Sequence, residues 1–434
     1  MAGDDRPFRA PKGTRDLLPP ESWEWREVTE LAIALFSEAG YAPIETPAFE
    51  HTEVFERGVG ATSEVVNKQM YTFTDLGGRS LTLRPEGTAS VVRAVLEHGL
   101  HRGPLPVKLS YAEWMFRQER PQKGRYRQFS QVGMEAIGSD SPIVDAEVIE
   151  VGRRFYSACG LETTLMLNSI GHPDSSCRQS YGRILADFLE AHRDALAPED
   201  RERIETNPLR TFDSKAPATI DVMRDAPLIS EHLCDACRKH FESVCGLLDD
   251  LGVPYQLEPR LVRGLDYYTR TAFEFVAGNL GSQNAVGGGG RYDGLSEALG
   301  GPPLPGIGIA PGIERILLAR EAEAEAASRS HIDVYFVSMG EEAASVALKL
   351  ATSLRRERVG ADVHVLGKSV KAQMKDAVRS GARWAVILGD DELATGEATL
   401  KNLESQEQRR VAFDDLLRAV SSQTRAGSAG RQTK

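Results

Sequence analysis

Between residues 21 and 39 apolar side chains recur at three- and four-residue spacing, with Trp23, Val28, Leu31, Leu35 and Phe36 on one stripe, which predicts a helix. Pro19 and Pro20 precede it and Gly40 follows, giving the stretch a start and a stop. A helix of this pattern is first of all a packing element. The next strong helix begins at Ser141, an N-cap whose hydroxyl can accept an orphaned backbone N–H, continues through Pro142 at its first position and stops at Gly160. Between the two helices, short or alternating apolar runs at 81–83, 108–116 and 128–137 read as strands, and several antiparallel strands with few helices suggest a mixed sheet.

The rhythm changes near 168. From there to 252 the chain is charged and helix-forming, with runs at 179–196 and 230–251 that predict a helical insertion. Strand-like sequence resumes at 255–261 and 272–276, followed by Gly287 to Gly290 and by Gly306, Gly308 and Gly312. Beyond an Ala/Glu/Ser-rich stretch ending at 330, apolar runs at 332–338, 361–366 and 383–388 alternate with helical patterns at 341–358 and 370–380. That order is a small parallel α/β domain and a separate folding unit. Residues 421–434 are small and polar, without apolar anchors, and are expected to be disordered.

Composition narrows the class without choosing a partner. At 434 residues and 41% hydrophobic content the chain requires two or three domains and needs no covalent staples. Five cysteines, few for the length and odd in number, argue against a disulfide framework and for a reducing compartment. The first 16 residues carry charges of both signs and resemble neither a signal peptide nor a transit peptide, and no apolar run reaches membrane-spanning length. A cytoplasmic protein without membrane contact is expected. The net charge of -11 does not exclude a nucleic acid, because a local basic face is enough to grip part of a folded RNA.

The densest candidate chemistry lies at 116–129, Phe-Arg-Gln-Glu-Arg-Pro-Gln-Lys-Gly-Arg-Tyr-Arg-Gln-Phe. Strand-like flanks around a Pro/Gly-containing basic centre predict a hairpin with a mobile cationic loop. Such a hairpin can set an arginine against a phosphate and a ring against a base, although an exposed basic loop without a ligand has the same pattern. This segment resembles the second motif of class II aminoacyl-tRNA synthetases in its histidyl form. Lys12-Gly13-Thr14-Arg15-Asp16 and Leu83-Arg84-Pro85-Glu86-Gly87-Thr88 are similar to the N-terminal region of the histidyl enzymes. Leu261-Val262-Arg263-Gly264-Leu265-Asp266-Tyr267-Tyr268 resembles the peptide peculiar to them. Gly287 to Asp293 and Gly308 to Arg315 resemble their glycine-rich segment and third motif. The likeness covers residues 10 to 415, in the family's order.

The resemblance implies an α+β catalytic domain on a mainly antiparallel sheet, the class II synthetase fold, over 1–325, with a helical insertion at 170–252. It also implies a C-terminal α/β anticodon-binding domain over 331–420. A ligase that activates L-histidine with ATP and charges tRNA is expected, assembled as a homodimer through the first helix and the strand near 44–49. Its ATP site would use Arg117 on the α-phosphate, Arg125 on the outer phosphates, Phe129 on adenine and Arg315 on the other side of the nucleotide. Arg263 would sit near the α-phosphate, with Mg²⁺ as the inorganic helper. Glu86, Thr88 and Gln131 would hold the substrate amino group. Glu135 and Tyr268 would bind the imidazole, with Tyr267 beside them. The alternative is a non-catalytic, synthetase-like regulatory subunit of ATP phosphoribosyltransferase. Retention of Arg117, Arg125, Arg263, Arg315 and a C-terminal α/β domain disfavours it.

Other features suggest sites less well. Gly287 to Gly290 lack a following Gly-Lys-Ser/Thr, and Pro311 stands where a dinucleotide fingerprint needs glycine, so close backbone approach is the better reading of these glycines. Cys234, Cys237, His240 and Cys245 have metal-like spacing, but on one continuous helix they cannot surround an ion tetrahedrally, so no metal site is expected. Lys368, Lys371 and Lys375 either touch tRNA phosphates or form a solvated helix face. Ser130, Gly288 and Pro311 depart from the family's usual residues without removing a proposed contact.

Overall fold

The strand Gln128–Ile137 has two unlike faces, because successive side chains of a strand point to opposite sides. Val132, Met134 and Ala136 enter a core built with the helices, while Phe129 and Ile137 join a second cluster on the other side. Gln131, Gly133 and Glu135 share that second side by alternation. The chemistry therefore sits on one face of a sheet whose other face is closed by packing.

A computed structural model describes residues 8–60, 63, 65–173, 177–278, 284–323, 332–365 and 367–421. The chain forms two compact units, Met1–Glu325 and Ala326–Lys434. Among the described residues of the first, eight strands run in the order Ala42–Pro43, Val107–Phe116, Gln128–Ile137, Gly306–Ile309, Ala285–Arg291, Thr269–Val276, Thr164–Ser169 and Gln256–Leu257. The two outermost pairings are parallel and the inner ones antiparallel, as the sequence predicts for a mainly antiparallel sheet. Helices Glu21–Glu38, Pro142–Ala158 and Ile313–Glu323 cover the closed face through Val28, Phe36, Ile149, Phe155, Ile313 and Ile316. Burying a large aliphatic side chain is worth about 1.5–3 kcal/mol, so this layer anchors the sheet. The predicted cap is present: Ser141 Oγ accepts from Ile143 N at 3.3 Å, and Gly160 adopts φ 77°.

Several predicted strands shorten for local reasons. At 44–49, Thr46 N donates to Glu113 Oε1 at 2.5 Å and Pro47 has no N–H, so only Ala42–Pro43 and Phe49–His51 remain as strands. At 255–261 only Gln256–Leu257 pairs, because Asn168 Nδ2 takes the carbonyls of Pro259 and Leu261. The predicted insertion is helical, with Arg178–Ala191 and Asp235–Asp250 as its longest helices.

In the second unit, the parallel strands Ala361–Val363, Val334–Ser338 and Trp384–Leu388 are extended by the antiparallel pair Glu397–Asn402 and Gln408–Ala412. The domain is therefore mixed rather than purely parallel. Ala398, Leu400 and Asn402 alternate inward along a strand with only two apolar residues, Ala398 and Leu400, so the sequence pattern does not single it out. Helices Gly340–Arg356 and Val370–Arg379 pack into separate clusters on the sheet. Beyond Ser421 the predicted tail lies outside the described residues.

A buried ion pair binds the first unit together. Arg291, at the end of the glycine-rich strand, and Asp145, in the first turns of Pro142–Ala158, have no exposed side-chain surface and meet at 2.6 Å. Arg291 also donates to the carbonyls of Ser139 and Ser141, and His240 Nε2 of the insertion stands 3.1 Å from Asp145 Oδ1. Burial alone would raise the Asp145 carboxyl, but the His240 hydrogen bond and the Arg291 charge hold it below its ordinary range. Replacement Asp145→Ala strands a buried guanidinium. It is expected to cost about 3–5 kcal/mol in urea unfolding, whereas the paired replacement of both residues by apolar ones of similar volume should cost far less.

Candidate active site

Three hydroxyl groups converge on the Glu135 carboxyl. Thr88 Oγ1 donates to it at 2.7 Å, Tyr292 Oη at 2.8 Å and Tyr111 Oη at 3.4 Å. Glycines make the approach of both tyrosines and of the carboxyl itself possible. A Cβ at Gly308 would lie 1.8 Å from Glu135 Oε2, one at Gly306 would lie 2.1 Å from the Tyr292 ring, and one at Gly133 would lie 2.3 Å from the Tyr111 ring. With 1% of its surface exposed, Glu135 is pushed by burial up to about 8, even though its hydrogen bonds pull the other way.

Glu86 lies beside it at the start of helix Thr88–Glu97 and accepts from Thr88 N at 2.8 Å and Ala89 N at 2.9 Å, two orphan donors of the first turn. Tyr267 Oη adds a bond at 3.3 Å. Burial raises the Glu86 carboxyl against these hydrogen bonds. The preceding Arg84 is a positioning residue: it pairs with Glu113 at 3.0 Å and donates to the carbonyls of Thr46 and Trp114, which fixes the turn that presents Glu86.

The cationic side comes from three separate segments. Val107–Phe116 and Gln128–Ile137 pair along their full length, confirming the predicted hairpin, and its loop makes a tight turn at Gln122 to Arg125 with Gly124 at φ 74°. Arg117 donates through Nε to Pro85 O at 2.8 Å and lies 5.2 Å from the Phe129 ring. Arg125 stands 3.8 Å from Glu119, and Arg315 Nε donates to Ala285 O at 2.9 Å. Burial lowers the Arg117 and Arg315 guanidinium values, and the Arg125 charge adds to both effects. The N-terminal peptide docks on this loop: Arg127 N donates to Gly13 O at 2.7 Å, and Arg15 covers the Tyr126 ring at 4.3 Å. Arg263 is held by Glu274 at 2.7 Å and lies 5.6 Å from the Tyr268 ring.

These groups surround a cavity of 840 Å³. Glu86, Thr88, Gln131, Tyr267 and Tyr268 line it, as do Arg117, Arg125 and Arg263. Phe129, Glu135 and Arg315 are not in its lining. Phe129 lies beneath Arg117, Glu135 lies behind Thr88 and Tyr292, and Arg315 approaches Gly124 of the loop. Two buried polar atoms of lining residues, Gln131 Oε1 and Arg263 Nε, have no hydrogen-bond partner among the described residues. One is an acceptor and the other a donor, the complement a zwitterionic substrate and a phosphate require.

Sequence reasoning missed Tyr111, Tyr292 and Glu274, whose roles depend on sheet register rather than on local motifs. It also missed the insertion's reach over the cavity, through Arg203, Arg210 and Asp213. Burial lifts the Asp213 carboxyl to about 6 despite the arginines around it. In the second unit Lys368 pairs with Asp376 at 3.0 Å, while Lys371 and Lys375 are exposed.

Comparison with known proteins fits this geometry. Residues 13–316 match the family model described as histidyl-tRNA synthetase, and residues 333–423 match an anticodon binding domain. A histidine-tRNA ligase of Corynebacterium kroppenstedtii is 50% identical over 417 residues, covering 96% of this chain and 97% of the relative. One from Halothermothrix orenii is 47% identical over 411 residues, covering 94% and 98%. The solved structure of apo S. aureus histidyl-tRNA synthetase superposes with a TM-score of 0.78 at 39% identity, over 95% of this chain and 99% of that one. An ATP phosphoribosyltransferase regulatory subunit/histidyl-tRNA synthetase from Bacillus halodurans shares the fold, with a TM-score of 0.64 at 22% identity over 88% and 99%.

The Glu135 environment predicts a pH dependence. Its carboxyl titrates near 8 in the folded chain instead of the ordinary 4.5. The native state therefore holds more protons between those values, and the stability Glu135 contributes, complete below the lower value, is lost as pH rises through the upper one. Replacement Glu135→Gln should flatten that fall by on the order of 1–3 kcal/mol, read as the difference between the two proteins in urea unfolding at about pH 5 and about pH 8. Parallel curves would place the carboxyl in a far less burdened environment.

Proposed function

The chain belongs to the histidyl-tRNA synthetases, and from that membership we propose how its residues divide the reaction. It is a ligase that activates L-histidine with ATP to histidyl-adenylate and transfers histidine to the 3′ end of its tRNA, releasing AMP and pyrophosphate. The proposal concerns roles. Glu86, Thr88 and Gln131 hold the substrate amino group, and the partnerless Gln131 Oε1 suits an ammonium donor. Glu135 and Tyr268 hydrogen-bond the imidazole with Tyr267 beside them. A pocket that hydrogen-bonds a polar side chain strands its own groups when an apolar one enters, so binding alone discriminates strongly.

Arg117 and Arg263 take the α-phosphate, Arg125 the outer phosphates, Phe129 the adenine and Arg315 the nucleotide's other side. The histidine carboxylate is ionised at neutral pH, so its attack on the α-phosphorus needs no general base. It needs alignment and relief of repulsion between two anions, which fixed guanidinium groups supply. Burial opposes the charge on Arg263, but Tyr268 and then Glu274 outweigh it and raise the guanidinium above its ordinary value. Mg²⁺ prefers carboxylate and phosphate oxygens, and Glu119 and Glu274 in the cavity wall are ligands of that kind; when bound with ATP the ion offsets phosphate charge. In the second step the terminal ribose hydroxyl attacks the activated carbonyl, with an adenylate phosphate oxygen as proton acceptor.

The observation that carries this reading is one cavity in which carboxyl and amide acceptors adjoin Arg117, Arg125 and Arg263. We assign 1–325 to catalysis, with 170–252 as an insertion, and 331–420 to the anticodon. A homodimer is supported by the exposed Phe49 and Phe73, which contact each other at 6.1 Å between ring centroids beside the 44–49 segment expected at the dimer interface. Among the described residues no helix is long and apolar enough to cross a membrane, and we place the protein in the cytoplasm. The regulatory-subunit reading is less supported, since the catalytic arginines and the anticodon-domain match are both present.

Exchange of labelled pyrophosphate into ATP, run with each amino acid in turn, should proceed with histidine alone; exchange with another would mean the pocket is misassigned. Replacement Arg263→Ala should lower the exchange rate by about 10²–10³-fold, as loss of a transition-state donor does, with histidine affinity measured by calorimetry little changed. Undiminished exchange in the variant would remove Arg263 from the reaction.

A further inference from the structure

On one continuous helix Cys234, Cys237, His240 and Cys245 could not surround an ion. The structure divides that run. His240 pairs with Asp145, and helix Asp235–Asp250 begins only after Cys234, which is its N-cap. Cys234 and Cys237 instead meet two residues from an earlier segment: the sulfur atoms of Cys177, Cys234 and Cys237 and a ring nitrogen of His172 all lie within 4.8 Å of one another. His172 Nδ1 is 3.0 Å from Cys237 Sγ and 3.7 Å from Cys234 Sγ. Tetrahedral zinc, with bonds of about 2.3 Å to sulfur and about 2.1 Å to nitrogen, sets its ligand atoms roughly 3.5–3.8 Å apart. The observed spread brackets that edge.

The backbone is shaped for the convergence. Cys237 N donates to Cys234 Sγ at 3.5 Å, a turn that brings both sulfurs to one side. Cys177 immediately precedes helix Arg178–Ala191 as Cys234 precedes Asp235–Asp250, so two of the sulfurs sit at helix N-termini. Gly171 has φ 65°, and a Cβ there would lie 2.6 Å from Cys177 Sγ, so only glycine lets the His172 turn close over the sulfur. Cys177 and Cys237 are buried.

We propose that His172, Cys177, Cys234 and Cys237 bind one zinc ion as a structural site. Three soft thiolates and an imidazole, with no carboxylate in the set, select zinc over magnesium or calcium, and four protein ligands leave no open position for catalysis. As each S–Zn bond forms, the thiol proton passes to solvent, and no electron is transferred. The ion ties the turn after strand Thr164–Ser169 to the N-termini of both long insertion helices. Arg178, next to Cys177, donates to Tyr268 O at 2.5 Å, and Gly171 O accepts from Arg270 N at 2.7 Å, so the tie lies against the chain that carries Tyr268.

The test uses the full-length protein, purified under reducing conditions without chelator, with zinc measured by mass spectrometry. A structural site of this kind should retain about one zinc per chain. Exchange with Co²⁺ should give thiolate-to-metal charge transfer and the intense visible bands of a tetrahedral ion, a readout that needs no variant. Replacement Cys237→Ser should reduce zinc content by about tenfold or more, while Cys159→Ser and Cys245→Ser keep it and His172→Cys, which preserves four ligands, restores a tetrahedral cobalt spectrum. Trace zinc in the wild-type protein together with no tetrahedral cobalt spectrum overturns the proposal. So does a Cys234–Cys237 disulfide in the isolated chain, or zinc content unaffected by Cys237→Ser.

Discussion

A carboxyl group inside a β-sheet, solvated by hydroxyl groups instead of water, is the constraint around which the first unit is organised. Glu135 takes hydrogen bonds from Thr88, Tyr111 and Tyr292, which come from a helix start and two different strand regions. Thr88 and Tyr292 arrive within 3 Å, the range in which a hydroxyl best repays the loss of water, and Tyr111 completes the set at 3.4 Å. Large side chains can come that close only where the neighbouring strand has none, and Gly133, Gly306 and Gly308 supply those gaps. The glycines at 133, 306 and 308 thus meet a packing requirement of a polar centre.

Holding such a centre in register requires that the strands do not slip, because a one-residue shift would carry Glu135 to the helix-covered face. The Arg291–Asp145 pair resists that slip from the edge of the glycine-rich strand, and His240 extends the hold to the insertion. Buried ion pairs are weak sources of net stability, yet one whose partners come from three distant segments fixes how those segments meet. The catalytic sheet, its covering helix and the insertion are locked at one point, and the insertion's Arg203, Arg210 and Asp213 are consequently delivered over the cavity.

Much of this was legible in the sequence, and the division is physical. Arg117, Arg263, Thr88 and Tyr268 lie in contiguous peptides whose residue order carries their chemistry, and the structure brings all four to one cavity. The helix at Glu21–Glu38 and the paired strands of the hairpin followed from periodicity alone. Tyr111, Tyr292 and Glu274 were not legible, because each acts across strands and its partner depends on a register that no local pattern encodes. Cys177 and His172 were missed for the same reason: ligands supplied from two segments more than fifty residues apart, 172–177 and 234–237, look like isolated residues until the chain folds.

The electrostatics of the site show why these devices belong together. At one end burial raises the carboxyls of Glu86 and Glu135, and at the other burial lowers the guanidinium values of Arg117 and Arg315. Burial is the largest cause of each shift, and the opposite charges already at hand, Arg117 for Glu86 and Glu119 for Arg117, offset it only in part. In the proposed reading, the substrate ammonium at the first end and the triphosphate at the second would add to that compensation. The folded chain therefore carries its reorganisation cost before the substrates arrive, which is the condition under which fixed dipoles and charges stabilise a transition state most effectively. The two ends are joined through short links, Arg117 to Pro85 O and Tyr267 to Glu86, so relief at one end alters the field at the other. In the proposed division of roles, amino-acid recognition and phosphate alignment are consequently two parts of one electrostatic arrangement held by the same sheet.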